Sequence, residues 1–383
     1  MDVQKFLSVM GDKHASDGFI TAGAPPSIKV HGSLVPIGSQ ALSSEQCREI
    51  VLGLMTESQR EEFLQTHECN FALNSELGGR FRASAFFQRG NVGVVLRRLE
   101  TKIPTVEQLN LPPITESLAM TNRGLIIFVG ATGTGKSTSL AAMIGHRNRN
   151  SAGHIISVED PVEFLHDHDR CIVTQREVGI DTASFEEALK NTLRQAPNVI
   201  VIGEVRTRDA MEQALTFAET GHLCLCTLHA NNANQALDRI LNFFPVERHA
   251  QVWMDLSLNL KAMLAQQLIR GTDGKSRRMA VEVLINTPRV ADLIRGGEVH
   301  ELKGVMKRSN ELGMQTFDQS IFELYRQGTI SYEDALSCAD SANDLRLMIK
   351  LHDDGSDSLS HVPEGMALDL EAKKPENKGQ LFK

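Results

Sequence analysis

Leu125-Ile126-Ile127-Phe128-Val129-Gly130-Ala131-Thr132-Gly133-Thr134-Gly135-Lys136-Ser137-Thr138 joins an unbroken apolar run to a loop of glycine and threonine. An apolar run of this length that ends at glycine reads as a buried strand. Gly130, Gly135, Lys136 and Ser137 then satisfy G-x-x-x-x-G-K-[ST]. Glycine lets the backbone curl so that successive N–H groups point inward at phosphate oxygens. A helix from about Lys136 adds the positive end of its dipole. In such a loop the lysine, here Lys136, reaches the β- and γ-phosphates, and the hydroxyl of Ser137 ligates Mg²⁺. Gly130 to Thr138 is therefore a nucleotide site.

Outward from that loop, strand-like runs alternate with helical ones. Leu125–Val129, His154–Val158, Asn198–Ile202 and Leu223–Thr227 read as strands, with helices at 184–196 and 208–219. The alternation predicts an α/β fold, a parallel sheet with helices on its faces. Further on, Leu256, Leu260, Met263, Leu264 and Leu268 fall on one helical stripe, which predicts a helix there and a mostly helical segment to Leu351. The first hundred residues read as a smaller α+β unit. Residues 25–37 form a hairpin interrupted at His31-Gly32, residues 43–65 a helix, and residues 79–99 two strands around the turn Gln88 to Asn91.

The expected boundaries are an N-terminal domain over 1–100, a linker over 101–113, an ATPase-type core over 114–270 and a helical segment over 271–351. Residues 352–383 are polar and charged with few large apolar groups, so a disordered tail is expected.

A net charge of −8 gives no electrostatic footprint for nucleic acid, and one Trp with two Tyr leaves little for base stacking. No apolar run approaches a membrane helix, and the N-terminus is too polar for a signal peptide, so a cytoplasmic chain without direct membrane insertion is expected. The cysteines form no C-x-x-C. Cys224-Leu225-Cys226 is the one close pair in the sequence, and reduced structural thiols are expected.

Three further segments carry chemistry. Val199-Ile200-Val201-Ile202-Gly203 ends at Glu204, read as the carboxylate that holds Mg²⁺ with Ser137, at the tip of the strand next to the phosphate loop's. Arg206 stands close enough to pair with it. Ser157-Val158-Glu159-Asp160-Pro161-Val162-Glu163 sets acids at the ligand end of another strand. There Glu163, or Glu159, becomes the candidate base for an attacking water. His222 and His229 bracket the strand Leu223–Thr227, which suggests a γ-phosphate sensor.

Together and in this order, the four motifs resemble those of the hexameric secretion ATPases of the type II secretion and type IV pilus superfamily. The opening "SDGFITAGAPPSIKVHGSL", the segments "RFRASAF" and "VVLRR", and "GMQTFDQSIFELYRQGTIS" extend the resemblance to type IV pilus retraction ATPases over roughly residues 1–340. The resemblance implies a RecA-like P-loop NTPase core with a smaller PAS-like α+β N-terminal domain, assembled as a ring of six. It implies ATP and Mg²⁺ as cofactors, Glu163 as catalytic base, Glu204 as the Walker B acid, and catalytic roles for Lys136, His222 and His229. Arg82 and Arg97 would reach the phosphates. Implied partners are a second copy of the chain, a paralogous retraction ATPase and an inner-membrane pilus platform protein. The chain would then sit peripherally at the inner-membrane base of the pilus.

One stretch departs from that pattern. Where retraction ATPases usually carry "AIRNLIRE", this chain has Arg289-Val290-Ala291-Asp292-Leu293-Ile294-Arg295-Gly296. The departure resembles the accessory twitching-motility branch of the family. It puts independent force generation in doubt and leaves the ATPase residues intact. A pilus-assembly or type II secretion ATPase would be expected to add N-terminal domains and a C-x-x-C metal module. A RecA-like helicase is disfavoured by charge and aromatic content. A ring that serves mainly as a structural adaptor for a partner ATPase is the remaining alternative.

Overall fold

The computed structural model describes residues 2–30, 32–75, 79–99 and 102–356. Asp17–Thr21 (β1), Ser27–Val30 (β2), Ser33–Pro36 (β3), Glu68–Ser75 (β4), Gly79–Gln88 (β5) and Asn91–Arg98 (β6) form one antiparallel sheet in the order β3-β2-β1-β6-β5-β4. Phe6, Leu7 and Met10 of the helix Val3–Asp12 share its core with Phe63, Phe71 and Phe81. The hairpin of β2 and β3 is present, with Val30 opposite Ser33, while His31 lies outside the described residues. The β5–β6 hairpin pairs Gln88 with Asn91 as its last register position.

The single helix expected over 43–65 is two, Ser44–Gly53 and Glu57–Thr66. The cause is visible in the chain. Thr56 accepts a hydrogen bond from the Gln59 N–H, and the Gln59 side-chain oxygen accepts one from the Thr56 N–H, a capping box that starts a second helix.

The second sheet contains Gly124–Val129 (β7), Gly153–Glu159 (β8), Cys171–Glu177 (β9), Val199–Ile202 (β10), Leu223–Leu228 (β11), Leu260–Arg270 (β12) and Arg277–Ile285 (β13), ordered β13-β12-β7-β11-β10-β8-β9. Every pairing is parallel except β12 with β13. Period-two alternation divides β7 between two cores. Leu125, Ile127 and Val129 pack with the helices Arg208–Glu219 and Ala233–Asn242, while Ile126 and Phe128 pack with Lys136–Asn150. Covered on both faces, β7, β10 and β11 are apolar but for Thr227, as buried parallel strands tend to be.

That same continuity misleads on β12. The stripe from Leu256 to Leu268 is not one helix: the helix His249–Asn259 stops, and Leu260 begins a strand between β7 and β13. A strand buried on both faces shows no alternation, and its apolar run matches a helical spacing by accident. The turn Asp273-Gly274 then returns the chain into β13, with Asp273 accepting from the N–H groups of Lys275 and Ser276. The large sheet thus takes in residues to Ile285, within the segment expected to be mostly helical. Helices follow from Pro288–Gly296 to Ala342–Ser356. That last helix includes the first residues of the expected tail; residues 357–383 lie outside the described residues.

The proline-bearing stretch before β7 is packed. Val106 and Leu111 are buried against Ala142, Val281 and Val283.

Candidate active site

Parallel, in-register strands deliver their C-terminal ends to one edge of the sheet. Val129 pairs with Leu228, Ile202 with Cys226, and Val158 with Ile202. The residues that follow those strands therefore meet. Thr132, Gly133, Lys136 and Ser137 line one cleft with Glu159, Glu163, Glu204, Arg206 and His229. This is the ligand side of an open α/β sheet. Glu204 does not sit on the strand beside the phosphate loop's, as expected, because β11 lies between β7 and β10.

Gly130 is required by close approach. A Cβ there would lie 2.4 Å from the Thr134 hydroxyl and 2.8 Å from the Gln266 carbonyl oxygen. Gly135, at φ 90°, turns the chain into the helix Lys136–Asn150. The buried Lys136 ammonium donates to the carbonyls of Gly130 and Ala131, each at 2.8 Å. Burial lowers its pKa, while the charges of Glu204 and Glu163 act the other way. Thr138 faces away from this cleft. With Gly135 it lines a second one, shared with Gln108, Asn110, Arg278 and Gln327.

Both oxygens of Glu204 are engaged. Arg206 Nε donates to Oε2 at 2.8 Å, and His229 Nε2 lies 2.8 Å from Oε1. Burial and the Lys136 charge lower the His229 pKa, so a neutral imidazole with its proton on Nε2 fits this contact. Desolvation pushes the Glu159 carboxyl up to about 7, with the neighbouring Glu163 and Glu177 charges in the same direction and a hydrogen bond from Gln175 opposed. Glu163 stands exposed at the mouth of the cleft.

Among the described residues, no group of three or more His, Cys, Asp or Glu side chains could hold a metal by itself. Ser137 and Glu204 nevertheless face one cleft. That donor set fits Mg²⁺, which keeps several waters and takes phosphate oxygens for other positions.

Three expected residues are elsewhere. His222 stands at the start of β11, the end opposite His229; its carbonyl accepts from the Gly124 N–H, and its ring Nδ1 is 3.2 Å from the Thr220 hydroxyl. It does not reach the phosphate loop within this chain. Arg97 pairs with Asp17 at 3.1 Å inside the N-terminal sheet. Arg82, its neighbour across β5 and β6, points at the other sheet instead, with Nε 3.7 Å from Glu177 Oε1. Glu177 and Gln175 are not among the expected site residues because β9 is not among the expected strands; the β-branched run Ile172-Val173-Thr174 is the available signal.

Residues 80–327 match the Type II/IV secretion system protein family. The chain belongs to this family. It is 65% identical over 376 residues to the type IV pilus ATPase PilU of Pseudomonas aeruginosa, covering 98% of each chain. Against the type IV pilus retractation ATPase PilT of the same organism it is 38% identical over 335 residues, 88% of this chain and 97% of that one. A crystal structure of the pilus retraction motor PilT with bound ADP superposes with a TM-score of 0.85 at 35% identity, covering 91% of this chain and 100% of the other. The α/β fold expected from the strand alternation, with its RecA-like core and smaller N-terminal sheet, is the fold these relatives share.

Proposed function

We propose that this chain is an ATP-hydrolysing motor of type IV pilus retraction, working in twitching motility as an accessory to a main retraction ATPase. One observation carries the chemistry: the cleft at the sheet edge gathers a buried lysine, the Ser137 hydroxyl, four carboxylates and two histidines. Lys136 and the backbone N–H groups of Gly130 to Gly135 bind the phosphates. Ser137 and Glu204 hold Mg²⁺, which supplies charge neutralisation on the phosphates when bound. Glu163 takes the proton of the attacking water, and His229 orients Glu204. The second cleft, open to Gly135 and Thr138, has the position a nucleoside needs.

The extent and level of likeness to PilU support the accessory role. A ring of six copies would bring Arg82 or Arg97 of one chain to the phosphates of the next; within one chain neither lines the cleft. A paralogous retraction ATPase and an inner-membrane platform protein are the proposed partners, with the ring peripheral to the membrane on the cytoplasmic side. No helix among the described residues is long and apolar enough to cross a membrane.

The test compares Lys136→Ala with a full deletion in cells. Lys136→Ala protein should fold, lose steady-state ATP hydrolysis and reproduce the deletion's loss of retraction. Normal retraction with a hydrolysis-dead ring would establish the structural-adaptor alternative.

A further inference from the structure

Alternate residues of β9 clasp the backbone on both sides of Glu163. Gln175 and Glu177, two apart on a strand, project to the same face. The Gln175 side chain donates to the Phe164 carbonyl at 2.8 Å and accepts from the His166 N–H at 2.8 Å. Glu177 Oε2 accepts from the Val162 N–H at 3.1 Å. Glu163 lies between these anchor points, on a segment with no helix or strand of its own.

Glu177 is itself held firmly. It is 3% exposed, its N–H donates to the Asp181 carboxylate at 2.9 Å, and its carbonyl accepts from the Asp181 N–H at 2.8 Å. Its second oxygen, Oε1, is buried without a hydrogen bond and faces Arg82 of the N-terminal sheet at 3.7 Å. A buried carboxylate with one unsatisfied oxygen is costly unless a charge stands against it. The arginine supplies that charge from the other domain.

We infer that Glu177, with Gln175, is a positioning residue that sets Glu163 through the Val162 N–H, and that the Arg82 contact ties this setting to the N-terminal domain. The inference rests on Glu163 as the base. A general base works only at hydrogen-bond reach of its water, and a displacement of about 1 Å can cost on the order of a hundredfold in rate. Loss of the anchor should therefore appear in turnover and spare nucleotide binding, since the phosphate loop touches neither Gln175 nor Glu177.

The experiment measures kcat, KM for ATP and the Kd of a fluorescent non-hydrolysable ATP analogue on the full-length protein. Glu177→Leu removes the acceptor for Val162; kcat should fall about 10- to 100-fold with Kd changed less than about twofold. Glu177→Gln keeps a carbonyl acceptor for the Val162 N–H and should restore kcat to within about threefold of wild type. The double variant of Glu177→Leu with Glu163→Gln should be no slower than Glu163→Gln alone, because a positioned group and its positioner do not add. If Glu177→Leu fails to fold, Gln175→Leu should show the same split between kcat and Kd. Wild-type kcat in Glu177→Leu, equal damage from the Leu and Gln variants, or additive loss in the double variant would each overturn the inference. Full activity in Glu163→Gln would instead overturn the base assignment, a separate result.

Discussion

His229 Nε2 sits 2.8 Å from Glu204 Oε1 while Arg206 closes on Oε2, so both oxygens of the carboxylate proposed to hold Mg²⁺ already face protein donors. An arriving ion, or its water, competes with Arg206, whose side chain is 61% exposed. Exposed pairs of this kind contribute little, so the ion displaces the guanidinium at modest cost. Arg206→Ala should lower the Mg²⁺ concentration for half-maximal hydrolysis by a factor of about 2–5. A Mg²⁺ titration of ATPase rate at fixed ATP checks it; an unchanged or raised midpoint contradicts the competition.

The two acids of the Glu159–Glu163 segment divide the work by environment. Enclosure holds the Glu159 carboxyl at about 7, whereas Glu163 is exposed at the cleft mouth. Glu163→Gln keeps shape and hydrogen bonding but loses the base, so kcat should fall at least about a hundredfold with ATP affinity nearly unchanged. Glu159→Gln should cost turnover much less, since that carboxyl is already partly protonated near neutral pH. A larger loss in Glu159→Gln at unchanged binding would move the base to Glu159.

Most of the cleft was legible in the sequence because its parts lie at strand ends, where short motifs carry their own geometry. Thr132, Gly133, Lys136, Ser137, Glu163, Glu204 and His229 come soon after the ends of β7, β8, β10 and β11, and the parallel pairing brings them together. What escaped depends on long-range pairing. β12 has no alternation because both its faces are covered, and β9 lies at the sheet edge with Ile172 largely exposed. His222 shows the limit of reading by motif. A strand's two ends are about 20 Å apart for six residues, so bracketing a strand does not bring two histidines to one site.

Three prolines from Glu100 to Pro113 mark the expected linker, and within it Leu111 is buried against the last strand of the large sheet. Leu111→Ala should cost about 2–5 kcal/mol of stability, as for other buried leucines. Denaturant unfolding checks this, with the midpoint shifted at constant slope. A shift of a few tenths of a kcal/mol would mean that the contact is made without holding the segment down.

Glu282, on β13, is another buried acid outside the cleft. One oxygen accepts from the Ala233 N–H at 2.8 Å and the other has no hydrogen bond; burial pushes its pKa up to about 7. That value lies above the ordinary 4.5, so the folded chain holds this proton more tightly than the unfolded chain does. Stability from this group is full below the unfolded value, falls as pH rises through the folded one, and stays low above it. Glu282→Gln keeps a neutral acceptor for Ala233 at every pH. It should stabilise the protein on the order of 1–3 kcal/mol at pH 8 and by much less at pH 5. Melting curves at both pH values decide; equal shifts at the two would remove ionisation as the cause.

The last prediction separates two roles for Arg82. Within the chain its guanidinium faces Glu177, and neither it nor Arg97 lines the nucleotide cleft. An arginine donated by a neighbouring subunit would let one site sense the nucleotide of the next, and its planar fork suits two phosphate oxygens while it stays charged at any working pH. The alternative is action only in cis, through Glu177 on the same chain's Glu163. Mixed rings distinguish them. Arg82→Ala protein retains Glu163, and Glu163→Gln protein retains Arg82. If the arginine acts across the interface, an Arg82→Ala subunit beside a Glu163→Gln subunit regains a complete site, so the mixture should exceed both parents in ATPase rate. If it acts in cis, no subunit in the mixture holds both groups and no activity returns. Arg97→Ala, run in parallel, tests whether the arginine bound to Asp17 serves the same purpose. Subunit exchange must be shown independently, for example by energy transfer between labelled chains. With exchange demonstrated, a mixture no faster than its parents rules out the arrangement in trans.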